Sequence, residues 1–333
     1  MPGYATSATL GFSVADARLE SRLLEELAAV EARLDDAVKS SDDFVTGASQ
    51  HLVRAGGKRF RPLLVLLAAE YGDPAAPGVI PAAAVVELTH LATLYHDDVM
   101  DEATRRRGAE SANQRWGNSI AILTGDFLFA RASDILADLG PEAVRLQART
   151  FERLCVGQIR ETVGPSEGAS AVEHHIGVLA DKTGSLIATS ARFGSMLSGA
   201  HDSEVDALTR FGERIGVAFQ LADDLVDLTS ESSSSGKTPG IDLREGVPTL
   251  TALLALADDP SPRLQDLLTR PLPDDDEHAE ALALLRTHPA IDQARDEAKR
   301  WAREAASCLD SLPQIPATNA LRQMCDYVVE RTG

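Results

Sequence analysis

Aspartates crowd at two places in this chain, in a spacing suited to divalent-cation chemistry. The first is His96-Asp97-Asp98-Val99-Met100-Asp101, followed by Arg105-Arg106-Arg107-Gly108. The second, Asp223-Asp224-Leu225-Val226-Asp227, repeats the aspartate spacing far downstream. On a helix, residues three and four apart share a face, so each cluster gathers its carboxylates on one side. His90 lies two turns before Asp97 on the first face, and Gln220 begins the second. The intervening Val99, Met100, Leu225 and Val226 are expected to point into a core. Carboxylates this close repel unless a cation neutralises them. A few hard oxygen ligands suit Mg²⁺, which keeps waters and shares its shell with substrate phosphates. An EF-hand is excluded, because no ligand ladder with a central Gly and a terminal Glu is present.

A single such cluster in an acidic chain is ordinarily a solvated face. Two of them on otherwise apolar helices point to chemistry, and the basic residues point the same way. The net charge is -19, with 51 acidic and 32 basic residues. Against that background Lys58-Arg59-Phe60-Arg61 and Arg105-Arg106-Arg107 are concentrated cationic islands. Guanidinium forks and ammonium groups are natural partners of diphosphate oxygens. The expectation is that the two clusters face each other across one cavity and hold metal ions that grip a diphosphate. The acidity itself argues against nucleic acid as a partner.

The elements that position these groups read as helices. Leu19, Leu23, Leu24, Leu27, Val30 and Leu34 recur at three- and four-residue steps and predict a helix over 16–38. Gly56 to Pro62 forms a turn into an apolar helix over 63–71. The first acidic cluster ends a helix over 82–103. Further helices are expected at 118–138, 142–163, 171–199 with a break near Gly184, 203–228, 247–257, 261–269, 277–287, 289–311 and 317–331. No alternating strand pattern and no Asn-Gly hairpin signal occurs. The fold class is all-α: a flexible N-terminus over 1–15, then a single-domain helical bundle over 16–333 around a deep central cavity. The Ser/Gly-rich stretch 230–240 reads as a mobile loop that could close over a site. Cys155, Cys308 and Cys325 form no CxxC pair and read as buried reduced thiols. No signal peptide and no membrane-length apolar run is evident, so a cytoplasmic location is expected.

The motifs together resemble the trans-isoprenyl diphosphate synthases, or polyprenyl synthetases. The resemblance rests on GGKRFRP at 56–62, HDDVMDEATRRRG at 96–108, NQRWGN at 113–118 and GDFLFARA at 125–132. It continues through GQ at 157–158, DKTG at 181–184, FQLADDLVD at 219–227 and GKTPGIDLREGVPTL at 236–250. It implies a homodimeric all-α enzyme with Mg²⁺ as cofactor, which condenses isopentenyl diphosphate with an allylic diphosphate in a 1'-4 trans elongation. Carried over by position, it implies that Asp97, Asp101 and Asp223 ligate metal, supported by Asp98, Asp224 and Asp227. Arg106, Lys182 and Lys237 would hold the allylic diphosphate. Lys58, Arg61, His90 and Arg107 would hold isopentenyl diphosphate. Thr183 and Gln220 would line the reacting centre. Arg105 stands where an apolar residue is common and is expected to be a bystander, and Val247 stands where many members have Lys.

Product length should depend on what lies one turn below the first cluster. Ala92 and Thr93 occupy positions where short-chain members often carry aromatics, which implies an open shaft and a product longer than farnesyl. Phe127, Leu128 or Phe129 would then set its floor. A quinone side chain is one use for such a product, geranylgeranyl diphosphate is the main competing product, and release of so apolar a molecule implies transient membrane contact. A class I terpene cyclase and a non-catalytic subunit of a heteromeric synthase are the remaining readings. The second aspartate cluster and the GGKRFRP site argue against the first, and the completeness of both clusters against the second.

Overall fold

A computed structural model describes residues 14–230, 239–258 and 261–330. Helices carry nearly all of the described chain. They are α1 (Ala17–Ala37), α2 (Asp43–Arg54), α3 (Phe60–Ala69), α4 (Val79–Met100), α5 (Ala112–Trp116), α6 (Asn118–Leu139), α7 (Pro141–Val163) and α8 (Ala171–Leu179). A five-residue π turn, Ala180–Gly184, leads into α9 (Ser185–Leu197). Then come α10 (Asp202–Thr229), α11 (Ile241–Glu245), α12 (Leu250–Asp258), α13 (Pro262–Leu268), α14 (Asp275–Thr287), α15 (Ala290–Cys308) and α16 (Pro316–Glu330). Side chains close the starts of several helices. Asp16, Asp42 and Asp274 each accept two first-turn N–H groups, which would otherwise be orphaned.

The helices group into two compact units, each discontinuous in sequence. One holds Met1–Thr150, Leu186–Thr209 and Ser311–Gln323; the other holds Phe151–Ser185, Arg210–Asp310 and Met324–Gly333. In the first unit α4 is the central rod. It is apolar on nearly every side, with Ala82 to Thr89 continuously buried, and it packs on α1, α3 and α6. An all-round apolar helix must be enclosed, and small residues set how closely its neighbours approach. A Cβ on Gly125 of α6 would lie 2.4 Å from His96 Nε2, and one on Gly194 of α9 would lie 2.0 Å from the Val65 carbonyl oxygen of α3. In the second unit Leu179, Val217, Leu221, Leu225, Leu250, Ala294 and Ala298 form one core cluster. A second cluster joins Leu228 and Leu243 to Leu272, Ala281 and Leu285.

Several local features refine or depart from the expectations. Residues 43–54 are helical although their polar, glycine-containing sequence gave no clear period. The Tyr95 hydroxyl fixes α2 by donating to the Ala48 carbonyl at 2.6 Å and accepting from Leu52 N–H at 3.3 Å. A two-residue ribbon, β1 (Arg105–Arg106) with β2 (Ala109–Glu110), follows the first acidic cluster. Its central residues Arg107 and Gly108 have φ of 52° and 80°, the signs of a type I′ turn. The chain near Gly184 winds into the π turn. Met100 is 52% exposed, because it is the last residue of α4. Of the three thiols only Cys325 is buried; Cys155 is exposed and Cys308 half-buried.

Candidate active site

The first acidic cluster occupies the C-terminal turn of α4, whose final cap is Asp101. Its aspartates are not equivalent. Asp101 is exposed and Asp97 half-buried, whereas Asp98 is fully buried. Arg106, carried back by the β-ribbon, donates from Nε to Asp98 Oδ1 at 2.5 Å and lies 4.0 Å from Asp101. Burial outweighs this arginine and leaves the Asp98 pKa raised. Asp98 Oδ2 is buried without a hydrogen-bond partner. Arg105 serves the turn itself, donating to the Gly108 carbonyl at 2.8 Å.

The basic island at 58–61 divides by role. Arg59 adopts a left-handed backbone, φ 48° and ψ 36°, at the start of α3. This turns its side chain inward, where it pairs with Glu31, with Glu87 at 2.8 Å and with the Val53 carbonyl at 3.0 Å. Glu87 is itself 2% exposed and lies 3.9 Å from Arg107 Nη2. Arg107, also left-handed, donates to the Gly56 carbonyl. Gly57 leaves it room, since a Cβ there would lie 2.9 Å from Arg107 Nη1. Arg61 has a buried Nε with no partner. Desolvation, offset by Glu87 and reinforced by Arg107, lowers its pKa to about 10. His90 is held well below the ordinary imidazole pKa by burial and by Arg61, Arg107, Arg106 and Arg59, and so is neutral. Arg59, Arg61 and Arg107 therefore share buried Glu87 in one cationic nest with His90 beside it, while Arg106 pairs with buried Asp98. Lys58 is exposed at the edge of the nest.

Ala92, fully buried, sits where α4 meets α6 at Gly125. Thr93 is half-buried and donates its hydroxyl to the His90 carbonyl at 2.8 Å. On α6 Leu128 is fully buried, Phe127 half-buried, and the Phe129 ring lies 5.8 Å from that of His96.

The second unit carries its own set. Lys182 and Thr183 lie on the π turn, a local widening frequent at functional sites. Gly157 of α7 permits the close approach, since a Cβ there would meet Lys182 N at 2.9 Å. Lys182 pairs with Glu161 at 2.5 Å. Thr183 donates to Gln220 Oε1 at 3.2 Å, and Gln220 Nε2 donates to Asp224 Oδ1 at 3.0 Å. Asp224 also lies 3.9 Å from His175 Nε2. Burial, then Asp242, raises its pKa well above the usual range despite the Gln220 bond. His175 drops to about 4 through desolvation and its neighbour His174.

Sequence reading passed over Asp242. Its N–H donates to Asp227 Oδ2 at 3.4 Å, and burial with Asp227, Glu245, Asp223 and Glu161 pushes its pKa to about 7. The signal was present in Gly240-Ile241-Asp242, but no aspartate spacing marked it. Asp181 was also missed. It holds Arg153 and Arg160, each at 2.9 Å, and so anchors the π turn. Lys237 and the body of the 230–240 loop lie outside the described residues.

Among the described residues no three His, Cys, Asp or Glu side chains form a ready-made metal cage. The donor chemistry nonetheless fits a hard cation that borrows ligands from phosphate. Asp97 and Asp101 are one turn apart at the open end of α4. Burial, with Asp227, Glu245 and Asp223 adding to it, holds the Asp242 carboxyl pKa at about 7, where a cation would favour its charged form. No helix is long and apolar enough to cross a membrane, among the residues described.

Comparison with known proteins agrees with this chemistry. The statistical description of the polyprenyl synthetase family matches residues 42–285. The chain is 48% identical to nonaprenyl diphosphate synthase of Mycobacterium tuberculosis over 326 residues, covering 97% of each protein. It superposes on geranylgeranyl pyrophosphate synthase of Corynebacterium glutamicum, crystallised with calcium and isoprenyl diphosphate, with a TM-score of 0.86 at 45% identity over 96% of this chain and 99% of that one. Decaprenyl diphosphate synthase of Rhodobacter capsulatus gives a TM-score of 0.86 at 33% identity, over 95% and 99%. With its aspartate-tipped helices, its arginine nest and these relatives, the chain belongs to the polyprenyl synthetase family.

Proposed function

We propose that the protein is a trans-prenyltransferase that condenses isopentenyl diphosphate with an allylic diphosphate and releases a polyprenyl diphosphate longer than farnesyl. One observation carries the reading. In a chain of net charge -19, Arg61, Arg107 and neutral His90 gather around buried Glu87, with an unsatisfied guanidinium N–H left over. A buried unsatisfied donor is costly, and an anion satisfies it. That nest suits the diphosphate of the attacking alkene, a substrate that terpene cyclisation does not use.

Asp97, Asp101 and Asp223 would hold Mg²⁺, supported by Asp98, Asp224 and Asp227. Bound there, Mg²⁺ supplies positive charge to a leaving diphosphate. Arg106, Lys182 and Lys237 add fixed positive charge for the same group, which lowers the barrier to breaking the allylic C–O bond. Thr183 and Gln220 present hydroxyl and amide oxygens to developing carbocation charge, oriented by their bond to each other and to Asp224. Arg61, Arg107, Lys58 and His90 orient isopentenyl diphosphate for attack. The calcium-bound Corynebacterium relative supports divalent-cation use.

Small Ala92 and Thr93 favour a long product, as does the nonaprenyl relative at 48% identity. Geranylgeranyl diphosphate is the second reading, favoured by the Corynebacterium protein at 45% identity. A homodimer in the cytoplasm completes the proposal. It is supported by the large apolar side chains that α6 and α7 leave exposed, among them Leu123 and Ile159 at 61% and Val163 at 78%. The test is to incubate purified protein with Mg²⁺, isopentenyl diphosphate and farnesyl diphosphate and to size the products. Chains beyond C20 support the proposal, a C20 end point selects the second reading, and cyclised hydrocarbon or no elongation overturns both.

A further inference from the structure

The last turn of α10, which carries the second aspartate cluster, is held by a helix outside every motif discussed so far. Arg286, near the end of α14, donates from Nε to the Leu228 carbonyl at 2.8 Å and from Nη2 to the Ser230 carbonyl at 2.7 Å. Terminal carbonyls of a helix lack partners within it. A guanidinium there satisfies two of them and meets the negative end of the helix dipole. Two turns earlier on α14 stands His278, 5% exposed. Its Nε2 lies 2.8 Å from the Gly240 carbonyl. A carbonyl only accepts, so Nε2 carries the proton.

Gly240 in turn is tied to the cluster. Its N–H donates to the Asp227 carbonyl at 3.0 Å, and the next-but-one N–H, of Asp242, reaches the Asp227 carboxylate. The contact requires glycine: φ is 70°, and a Cβ would lie 3.0 Å from Leu282 and 3.1 Å from His278 Nε2. Arg244 pairs with Asp275 at 2.7 Å and lies 3.4 Å from His278 Nδ1. Buried Ala281 and Leu285 seat α14 in the same core cluster as Leu228 and Leu243.

We propose that His278 and Arg286 are positioning residues. From one rigid helix they fix the backbone just after Asp227 and just before Asp242, and so set how the carboxylates of Asp223, Asp227 and Asp242 meet a metal-bound diphosphate. This rests on the reading of α10 as a diphosphate-gripping helix. Neither side chain touches substrate; each acts through a carbonyl that it holds.

The experiment uses the full chain and inorganic diphosphate as probe, titrated calorimetrically at fixed Mg²⁺, with KM for each prenyl substrate measured separately. His278→Leu and Arg286→Met are expected to weaken Mg²⁺-dependent diphosphate binding about tenfold, the lower end for outer partners of metal ligands. Helix content and the KM for isopentenyl diphosphate are expected to stay at wild-type values. His278→Gln, whose amide N–H reproduces the Nε2 donor, is expected to recover most of the affinity. Arg286 is exposed, so its variant keeps the test available if His278→Leu does not fold. Wild-type affinity in the folded variants overturns the inference, as does a loss that tracks melting temperature and is not rescued by Gln. If Asp223→Ala also binds like wild type, the functional reading itself has failed. If Asp223→Ala loses binding while the α14 variants keep it, only the positioning role has.

Discussion

Replacing Glu87 by Gln tests whether the arginine nest is built around one negative charge. The substitution keeps shape and removes the charge. Breaking a buried ion pair from one side ordinarily costs about 3–5 kcal/mol, because the remaining charge is left uncompensated. Here Arg59 keeps Glu31 and the Val53 carbonyl. Arg107 keeps the Gly56 carbonyl, 3.9 Å being a long contact to Glu87 in any case. The loss therefore falls mainly on the Arg59–Glu87 bond at 2.8 Å and on Arg61, whose pKa is about 10 even with Glu87 present. The low end, about 3 kcal/mol, is expected. With about 2.1 cal/mol/K of unfolding entropy per residue, that is a fall of about 4 °C in melting temperature for a chain of this length. The assay is thermal unfolding followed by circular dichroism, with and without inorganic diphosphate. An added anion replaces the missing charge, so diphosphate is expected to raise the variant's melting temperature more than the wild type's. A shift under 1 °C, or equal stabilisation of both proteins by diphosphate, would show that Glu87 does not organise the nest.

Asp97→Ala and Asp223→Ala are each expected to cut elongation by orders of magnitude with unchanged circular dichroism, and near-normal turnover in either would remove it from the metal set. Ala92→Phe is expected to shorten the product, read by chromatography; unchanged product length refutes the placement of the shaft beside α4. Gly194→Ala drives a methyl into the Val65 carbonyl and is expected to cost about 3 kcal/mol in thermal unfolding. Glu26 supplies a pH test. Burial, then Glu70, raises its pKa from 4.5 to about 7, and Oε2 has no hydrogen-bond partner. The folded pKa exceeds the unfolded one, so the native state binds more protons between them. Stability therefore falls as pH rises from about 4.5 to about 7. Glu26→Gln is expected to gain about 1 kcal/mol at pH 8, after allowance for solvent screening, and almost nothing at pH 4. Equal gains at both pH values would refute the shift.

The helices that pack on apolar stripes were legible because burial imposes their period. The residues 17–37 and 202–229 differ by a single position at either end from what the spacing predicts. Helix α2 was illegible because a tertiary contact, the Tyr95 hydroxyl on its backbone, replaces a strong local pattern. The ribbon was illegible because two residues per strand carry no alternation, and Arg-Gly is an unusual pair for its turn. At the candidate site, residue type and spacing singled out the aspartates and arginines as candidates. They did not separate Arg59, which is spent on Glu31 and Glu87, from Arg61, whose Nε is unsatisfied. That distinction depends on one backbone angle at Arg59. Asp242 was hidden for a related reason: it joins Asp227 through a backbone N–H, which no side-chain spacing records.

The left-handed backbone at Arg59 and Arg107 also bears on engineering. L-residues other than Gly, Asn and Asp resist that conformation, at about 1–2 kcal/mol each. A library screened for heat tolerance alone would gain by placing Gly or Asn at 107 and at Glu102, the other non-glycine residue of positive φ among those described, but not at 59, where losing Arg59 strands buried Glu87 at a cost of about 3–5 kcal/mol. The same library screened for turnover would reject the change at 107, where the guanidinium faces the nest, while exposed Glu102 could still be exchanged. Position 107 is where the two screens part.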